Sequence, residues 1–269
     1  MPELPEIYNI AQQMRDMLHG KSITAVEVWR EQCLNVPIDY FIRMVTGKPI
    51  VSIYPKGKWI NILMEGDTFL LISLGMGGDI IYHEAGEELN CKYQFRFFFD
   101  NGAFMHIYFS WFGYVHAADG QSIKEHKMTS RLGFSPLDRS FSYEVFKSLL
   151  YGRKGAIKSF LLNQENIAGI GNVYVQDILF KSGIHPDRRV CDISEDEKRK
   201  LYDSVREHLR YAIKKGGLKY ERDFFGRNGR YEYELVGHRP GELCPDCGEI
   251  IKKIRSGGTP SYICEKCQK

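Results

Sequence analysis

Polar and hydrophobic residues alternate through much of the first half of the chain, a pattern typical of β-strands that bury one face. A helical hydrophobic period at residues 6–17 comes first and ends at Gly20. The clearest hairpin turns are the Glu-Gly-Asp sequence at residues 65–67 and the Asn101-Gly102 pair. The strand-like stretches are residues 22–29, 49–54, 58–64, 68–74, 93–100 and 103–109. This half therefore predicts one helix followed by a β-sandwich or barrel of roughly eight strands.

The hydrophobic spacing becomes helical in the second half of the chain. A polar stretch with Gly133 and Pro136 separates the two patterns and is a candidate linker. Ser194 and Glu197 form a capping box, which predicts that the longest helix begins there. The predicted helices are residues 143–151, 156–162, 172–182 and 194–215. The fold class is therefore α+β, and the predicted domains are residues 1–130, 131–225 and 226–269.

Four of the seven cysteines form two Cys-x-x-Cys pairs near the end of the chain. They are Cys244 with Cys247 and Cys264 with Cys267, and sixteen residues separate the pairs. Each pair places two thiolates on one side of a tight turn, so the two pairs complete a tetrahedral zinc site. Four thiolates leave no open coordination position, which predicts one structural Zn²⁺ and not a catalytic one. The residues between the pairs are typical of a β-hairpin.

Composition narrows the class of protein only moderately. Hydrophobic residues make up 43% and charged residues 26% of the chain, which is ordinary for a globular protein. The net charge of +3 weakly favours an anionic partner, and Lys and Arg are dense at residues 214–230. No apolar run is long enough to span a membrane, and the acidic N-terminus is unlike a signal peptide, so we expect a cytoplasmic location.

A glycine-containing turn at residues 163–172 joins two predicted helices. Gly169 and Gly171 permit a tight turn with exposed backbone amides, and Asn172 is placed to cap the next helix. A helix N-terminus favours an anion, so the turn is a candidate phosphate clamp. The same glycines are equally compatible with close helix packing and no ligand.

The first residues after Met1 carry a possible nucleophile. Proline is small enough for Met1 to be removed, which would leave the secondary amine of Pro2 as the chain terminus. An α-amino group has a pKa near 8, so a useful fraction is neutral at neutral pH. A neutral amine can attack a sugar C1′ and form a Schiff base, and Glu3 beside it can carry protons. Many proteins begin with Met-Pro, so these residues alone only permit this chemistry.

Four separated features together resemble the formamidopyrimidine-DNA glycosylase and endonuclease VIII family. They are the N-terminal PELPE, Lys58 in KGKW, the turn NQENIAGIGN followed by GIHPDR, and the final pairs CPDC and CEKCQ. The features occur in the family's order and span essentially the whole chain. The resemblance implies an N-terminal helix with a β-sandwich, then a helix-two-turn-helix domain with a four-cysteine zinc hairpin.

The resemblance also implies an activity and catalytic residues. Pro2 would be the nucleophile that excises an oxidised base and cleaves the strand by β,δ-elimination. Glu3 would be the general acid and base at the sugar, and Glu6 would support it from the first helix. Lys58 would contact phosphate and assist elimination. The implied partner is double-stranded DNA with a damaged base or abasic site, bound by a monomer in a bacterial-type, nucleoid-associated location.

Further residues are implied as DNA contacts. Asn172 would hold the phosphate at the lesion, Met76 would fill the gap left by the flipped base, and Phe112 would help to kink the duplex. Without the resemblance, Met76 and Phe112 would be interpreted as core residues in strand-like segments.

Three positions depart from the family pattern, and one of them is Ser73, where the family commonly has a histidine. Thr259 stands where the family usually has an arginine that binds the phosphates beside the lesion, and threonine cannot supply that cation. We expect Arg255, or Lys252 or Lys253, to compensate. Trp111, in SWFG, replaces an arginine that reads the orphaned cytosine, and tryptophan can stack but offers a single donor.

These departures leave three hypotheses. The first is a bifunctional glycosylase and lyase, which needs Pro2, Glu3 and Lys58. The second is a divergent protein that binds damaged or structured nucleic acid with weak or lost excision, as Thr259 and Trp111 suggest. The third is a zinc-stabilised protein-interaction module, which predicts no salt-dependent affinity for DNA.

Overall fold

The computed structural model describes all residues, Met1 to Lys269, and they pack into two compact units. The first unit contains Met1–Arg131 and Lys215–Arg230, and the second contains Leu132–Lys214 and Tyr231–Lys269. The segment Lys215–Arg230, called the return segment below, therefore packs with the N-terminal part of the chain. The zinc hairpin packs with the helices and not by itself. This division into two units does not decide the three predicted domain ranges, which remain a prediction.

The first unit is a helix with two antiparallel four-stranded sheets, as the hydrophobic alternation predicts. One sheet has the order β2-β3-β4-β8 and the other the order β1-β6-β7-β5. The strands are β1 Ile23–Val28, β2 Ile50–Lys56, β3 Trp59–Met64, β4 Thr68–Ser73, β5 Asp79–His83, β6 Phe95–Phe99, β7 Phe104–Tyr108 and β8 Tyr114–Asp119. Both predicted hairpins, β3 with β4 and β6 with β7, are confirmed. The inward faces form one core rich in Ile and Phe.

Two α-helices belong to this unit. Helix α1, Leu4–Leu18, buries one face, including Ile7, Ile10 and Met14, in the core of the sheets. Helix α2, Ile38–Val45, was not predicted from the sequence. It follows Pro37, and it places the fully buried ring of Phe41 against Phe97. Single 3₁₀ turns lie at Glu31–Cys33 and Ser122–Glu125.

The second unit combines four helices with a two-stranded hairpin. The elements are α3 Tyr143–Leu150, α4 Ile157–Leu162, α5 Tyr174–Ser182, a 3₁₀ turn at Val190–Asp192, α6 Glu195–Lys214, β9 Lys252–Ser256 and β10 Thr259–Ile263. The predicted capping box of α6 is confirmed, because the Ser194 and Glu197 side chains each accept the other's backbone N–H. None of the helices in the chain is long and apolar enough to cross a membrane.

A buried carboxylate joins α5 to the chain after the return segment. Asp177 Oδ1 accepts the backbone N–H groups of Val236 and Gly237 at 3.0 and 2.9 Å, and Oδ2 accepts the Tyr231 hydroxyl at 2.7 Å. Three donors satisfy the carboxylate without a cation, so the contact fixes geometry more than it adds ion-pair energy.

The four cysteine sulfurs of the hairpin lie within 4.8 Å of one another. Cys244 Sγ is 3.8 Å from Cys267 Sγ, and Cys247 Sγ is 3.4 Å from Cys264 Sγ. Zinc–sulfur bonds of about 2.3 Å in a tetrahedron place the sulfurs about 3.8 Å apart, so the cluster fits Zn²⁺. The expected structural zinc is confirmed, with these four thiolates to hold it.

His116 and His126 form a buried pair in the first unit. His116 Nδ1 lies 2.8 Å from His126 Nε2, and His126 Nδ1 lies 2.7 Å from the Thr129 hydroxyl. Both rings also pack against Trp59. Burial lowers the pKa of His116 to about 4, and burial also lowers the pKa of His126. The pair therefore remains neutral in the folded protein at pH values where an unfolded histidine is protonated.

We expect acid to destabilise the fold before most carboxylates titrate. The folded pKa of His116 lies below the unfolded value, so its contribution is complete above pH 6.5 and is lost as the pH falls toward 4. The free energy of unfolding should fall by about 1 kcal/mol for this histidine between pH 7 and 5.5. Denaturant titrations across that range should show a shallower pH slope for His116→Gln. The exposed control His19→Gln should keep the parent slope, and an unchanged slope for His116→Gln would contradict this assignment.

Loss of zinc should unfold the hairpin and destabilise the second unit. Cys264→Ala should bind no zinc, measured by metal analysis, and should lower the melting temperature by on the order of 10 °C. The matched control is Cys191→Ala, because Cys191 is an exposed cysteine outside the cluster. A Cys264→Ala protein that melts like the parent would show that the metal does not hold this unit together.

Candidate active site and nucleic-acid interface

The start of α1 gathers three of the predicted catalytic and supporting residues. Pro2, Glu3 and Glu6 are all buried, and Glu3 is the N-cap of the helix. Glu6 Oε2 accepts the backbone N–H of Glu3 at 2.8 Å, which fixes the chain direction just after Pro2. The helix N-terminus also carries a partial positive charge that stabilises carboxylates there.

The return segment packs against the same carboxylate. Glu6 Oε1 accepts the backbone N–H of Leu218 at 2.9 Å. Gly217 has a φ of +84°, and a Cβ atom there would lie 2.7 Å from Glu6 Oε1. Both the backbone angle and the lack of space for a Cβ atom therefore require glycine here. Its small size lets the return segment lie close to the N-terminus of the chain.

Glu221, on the return segment, is a carboxylate near the N-terminus of the chain that the sequence did not reveal. Its Oε1 atom lies 3.5 Å from the α-amino nitrogen of Met1. Burial raises the pKa of the Glu221 carboxyl, whereas the nearby amino group opposes that rise. The next residue, Arg222, pairs with Asp79 at the start of β5. No motif marks Glu221, because only folding brings it to residue 1.

Lys58 lies in the turn between β2 and β3, after Gly57. The side chain is half-buried and makes no hydrogen bond or ion pair within the protein. Its ammonium group is therefore available to an external anion, and a phosphate is a favourable partner for such a cation.

Met76, Trp111 and Phe112 come together on two adjoining loops of the first unit. Met76 and Trp111 exchange backbone hydrogen bonds of 2.8 and 3.1 Å. The three side chains are 43%, 63% and 65% exposed, so the core interpretation of Met76 and Phe112 is wrong. Phe112 has a φ of +55°, which is rare for a bulky residue and holds its ring outward. Exposed apolar side chains on a constrained loop are typical of a binding surface.

The glycine turn before α5 is closely cross-linked by side chains. Gln164 Oε1 accepts the Gly169 N–H at 2.8 Å, and Gln164 Nε2 donates to the carbonyl of Ile170 at 2.8 Å. The predicted capping role of Asn172 is wrong, because Val173 is the N-cap and the Asn172 side chain points elsewhere. Asn172 Oδ1 instead accepts from Gln176 Nε2 at 3.1 Å and from the Thr259 hydroxyl at 3.2 Å.

The zinc hairpin places Thr259 and Arg255 on opposite faces. Thr259 pairs with Ser256 across the hairpin, and Arg255 pairs with Pro260, so their side chains alternate. Arg255 is exposed on the face turned away from Asn172. Thr259 faces Asn172, and the cation that reaches it is Lys158, whose Nζ atom donates to the Thr259 hydroxyl at 2.8 Å. No motif in the sequence distinguishes Lys158 from the other lysines.

Family models match most of the chain in the order of its elements. The formamidopyrimidine-DNA glycosylase N-terminal domain matches residues 1–108. The formamidopyrimidine-DNA glycosylase H2TH domain, the helix-two-turn-helix domain, matches residues 132–222. The zinc finger found in FPG and IleRS matches residues 241–269, which include all four clustered cysteines.

Similar proteins cover the whole chain. The formamidopyrimidine-DNA glycosylase of Desulforamulus reducens is 33% identical over 276 residues, covering 100% of this chain and 99% of the relative. The structure of a complex between Lactococcus lactis Fpg and an abasic-site-containing DNA is 25% identical with a TM-score of 0.89, covering 99% of each chain. The structure of MutM (Fpg) from Thermus thermophilus is 25% identical with a TM-score of 0.88, covering 99% of this chain and 98% of the other. The chain therefore belongs to the formamidopyrimidine-DNA glycosylase family and is a DNA glycosylase with H2TH and zinc-finger modules.

Proposed function

We propose that this glycosylase excises oxidised bases from duplex DNA and then cleaves the strand at the abasic site. The observation that carries the proposal is the buried start of α1, where Glu6 holds the backbone directly after Pro2. The names of the solved relatives support the substrate class, since they include complexes with abasic-site DNA and with Fapy-dG DNA. We further propose that the partner is damaged duplex DNA and that the protein binds it as a monomer in a bacterial-type, nucleoid-associated location.

The chemistry begins with the amine of Pro2, after Met1 has been removed. The lone pair of the nitrogen attacks C1′, and the bond from C1′ to the base breaks with its electrons on the base, which takes up a proton. Glu3 then protonates O4′, the sugar ring opens, and an iminium ion joins Pro2 to C1′. Because the Pro2 nitrogen is a secondary amine, its condensation with C1′ gives a cationic iminium ion without a further protonation. Because Glu3 lies beside Pro2 at the N-cap, its carboxyl is positioned for that proton.

Strand cleavage follows from the acidity that the iminium ion confers on C2′. Removal of a proton from C2′ expels the 3′ phosphate, and a second elimination expels the 5′ phosphate. Water then releases the sugar fragment and regenerates the Pro2 amine. Lys58, with no partner in the protein, stabilises the charge on a departing phosphate.

The DNA contacts divide between backbone and base stack. Asn172 holds a phosphate from the second unit, Arg255 meets a different phosphate from the other face of the zinc hairpin, and Glu6 supports the site from α1. Met76, Trp111 and Phe112 enter the base stack from the first unit, where they fill the space of the flipped nucleotide. Because Trp111 offers stacking and one donor, we expect weak selection for the base opposite the lesion.

Borohydride trapping on a duplex with one abasic site tests the nucleophile. The parent should form a covalent adduct, and Pro2→Gly should lower its yield by on the order of 100-fold because the secondary amine is gone. Glu3→Gln should slow excision of an oxidised base by about 100-fold or more. The exposed Glu65→Gln is the matched control and should behave like the parent.

The alternative, a damage-binding protein without excision, predicts a different result in the same assay. Replacement of the family arginines by Thr259 and Trp111 is the observation that favours it. A parent protein whose Met1 is proven absent by mass spectrometry, and which binds the duplex but yields no adduct, would establish that alternative.

Truncation of the exposed ring of Phe112 should weaken binding to distorted DNA. Stacking on a base contributes roughly 1–3 kcal/mol, so Phe112→Ala should raise the Kd for a duplex with a tetrahydrofuran abasic-site analogue by about tenfold. Affinity for an undamaged duplex should change little. Met128→Ala removes another exposed apolar side chain of the first unit and should leave both affinities unchanged. Equal weakening of both duplexes by Phe112→Ala would count against a wedge.

A further inference from the structure

Lys158, in α4, is a fully buried cation with an unusual set of partners. Its Nζ atom donates to the Thr259 hydroxyl, the Pro260 carbonyl and the Ser261 hydroxyl, each at 2.8 Å. All three ammonium hydrogens are therefore used, and all three acceptors are neutral. The side chain has 0% exposure, so it cannot itself touch a ligand.

The positive charge of Lys158 is only weakly compensated inside the protein. Asp187 is the charged group that favours the ammonium form, but its Oδ1 atom accepts the Ser256 hydroxyl at 2.6 Å and not Lys158. Burial lowers the pKa of Lys158 to about 8. A buried cation without a contacting anion is costly, so an anion arriving nearby would be stabilised by it.

The hydrogen bonds lead from Lys158 to the protein surface in one direction. Because the Thr259 oxygen accepts from Lys158, its own proton is left to donate. Its acceptors are Asn172 Oδ1 at 3.2 Å and the Ser256 carbonyl at 3.4 Å, of which Asn172 is the nearer. The same Oδ1 atom accepts from Gln176 Nε2 at 3.1 Å. Two donors therefore hold the oxygen of the Asn172 amide inward. Its Nδ2 group faces away from them and has no partner in the protein, so it can donate to an external anion.

We propose that Lys158 is a positioning residue that acts through Thr259 to present the Asn172 amide to a DNA phosphate and supplies there the positive charge missing at position 259. This rests on the proposed function, in which Asn172 binds a backbone phosphodiester. Arg255 cannot take this part, because its side chain lies on the other face of the hairpin. The charge that threonine cannot supply at position 259 comes instead from the buried lysine that contacts this threonine.

The first test compares variants along this path by their Kd for a duplex with a tetrahydrofuran abasic-site analogue. Lys158→Met should weaken binding about tenfold, Asn172→Ala should weaken it similarly, and the double variant should be no weaker than Asn172→Ala alone. Thr259→Val removes only the connecting hydroxyl and should weaken binding about fivefold. Ser261→Ala is the matched control, because it removes another acceptor of Lys158 that does not contact Asn172, and it should change the Kd by less than about twofold.

A second test asks whether the charge can be supplied from the family's position. Thr259→Arg combined with Lys158→Met should restore affinity to within about threefold of the parent. Thr259→Arg alone should gain little, because it brings two cations together. The affinity of the parent divided by that of Lys158→Met should also fall between pH 7 and 9, because Lys158 loses its proton over that range. Asp187 is the charged group that raises the pKa of Lys158. Because both proteins carry the same terminal amine, the effect of its titration on affinity cancels in this ratio.

The outcomes separate this inference from the function on which it rests. Unchanged affinity in Lys158→Met, with weakened affinity in Asn172→Ala, would overturn the role of Lys158 and leave the phosphate clamp standing. Unchanged affinity in Asn172→Ala would overturn the clamp itself. A Lys158→Met protein that loses zinc or melting temperature, and that Thr259→Arg does not rescue, would show a purely structural lysine. If Lys158→Met does not fold, Thr259→Val against Ser261→Ala decides, and equal affinities would overturn the proposal.

Discussion

The buried carboxylate of Glu6 is the contact on which the N-terminal site depends. One oxygen holds the backbone N–H of Glu3, and the other holds that of Leu218, more than 200 positions away in the chain. Replacing Glu6 by a side chain without an acceptor would break both of these hydrogen bonds. The position of Pro2 and the path of the return segment are therefore set by the same side chain.

Buried charges in this protein are satisfied mainly by backbone and hydroxyl groups and not by opposite charges. Asp177 binds two backbone N–H groups and a tyrosine hydroxyl, and Lys158 binds two hydroxyls and a carbonyl. Such arrangements contribute less to stability than well-packed apolar groups would, but they fix direction. For Lys158 the uncancelled charge also remains available to a ligand.

Local chemistry explains which features could be predicted from the sequence. The Asn101-Gly102 turn determines a hairpin and the Ser194–Glu197 box starts a helix, each within a few residues, and the spacing of two short cysteine pairs defines a zinc site. Helix α2 was missed because eight residues between strands carry too short a period to recognise. The positions of Glu221 and Lys158 could not be predicted, because each contacts a residue about one hundred or more positions away in the chain. The exposure of Phe112 depends on a positive φ, and this angle could not be predicted from the residue type.

Peptide mapping of the reduced covalent complex locates the atom that attacks the DNA, and so it shows whether Pro2 is the nucleophile. Protein digested after reduction on abasic-site DNA should show a chain that begins at Pro2, with the sugar remnant on the Pro2 nitrogen in the N-terminal peptide. A remnant on Lys58 or another lysine would contradict the account. So would a chain that retains Met1 and still forms the adduct in full yield.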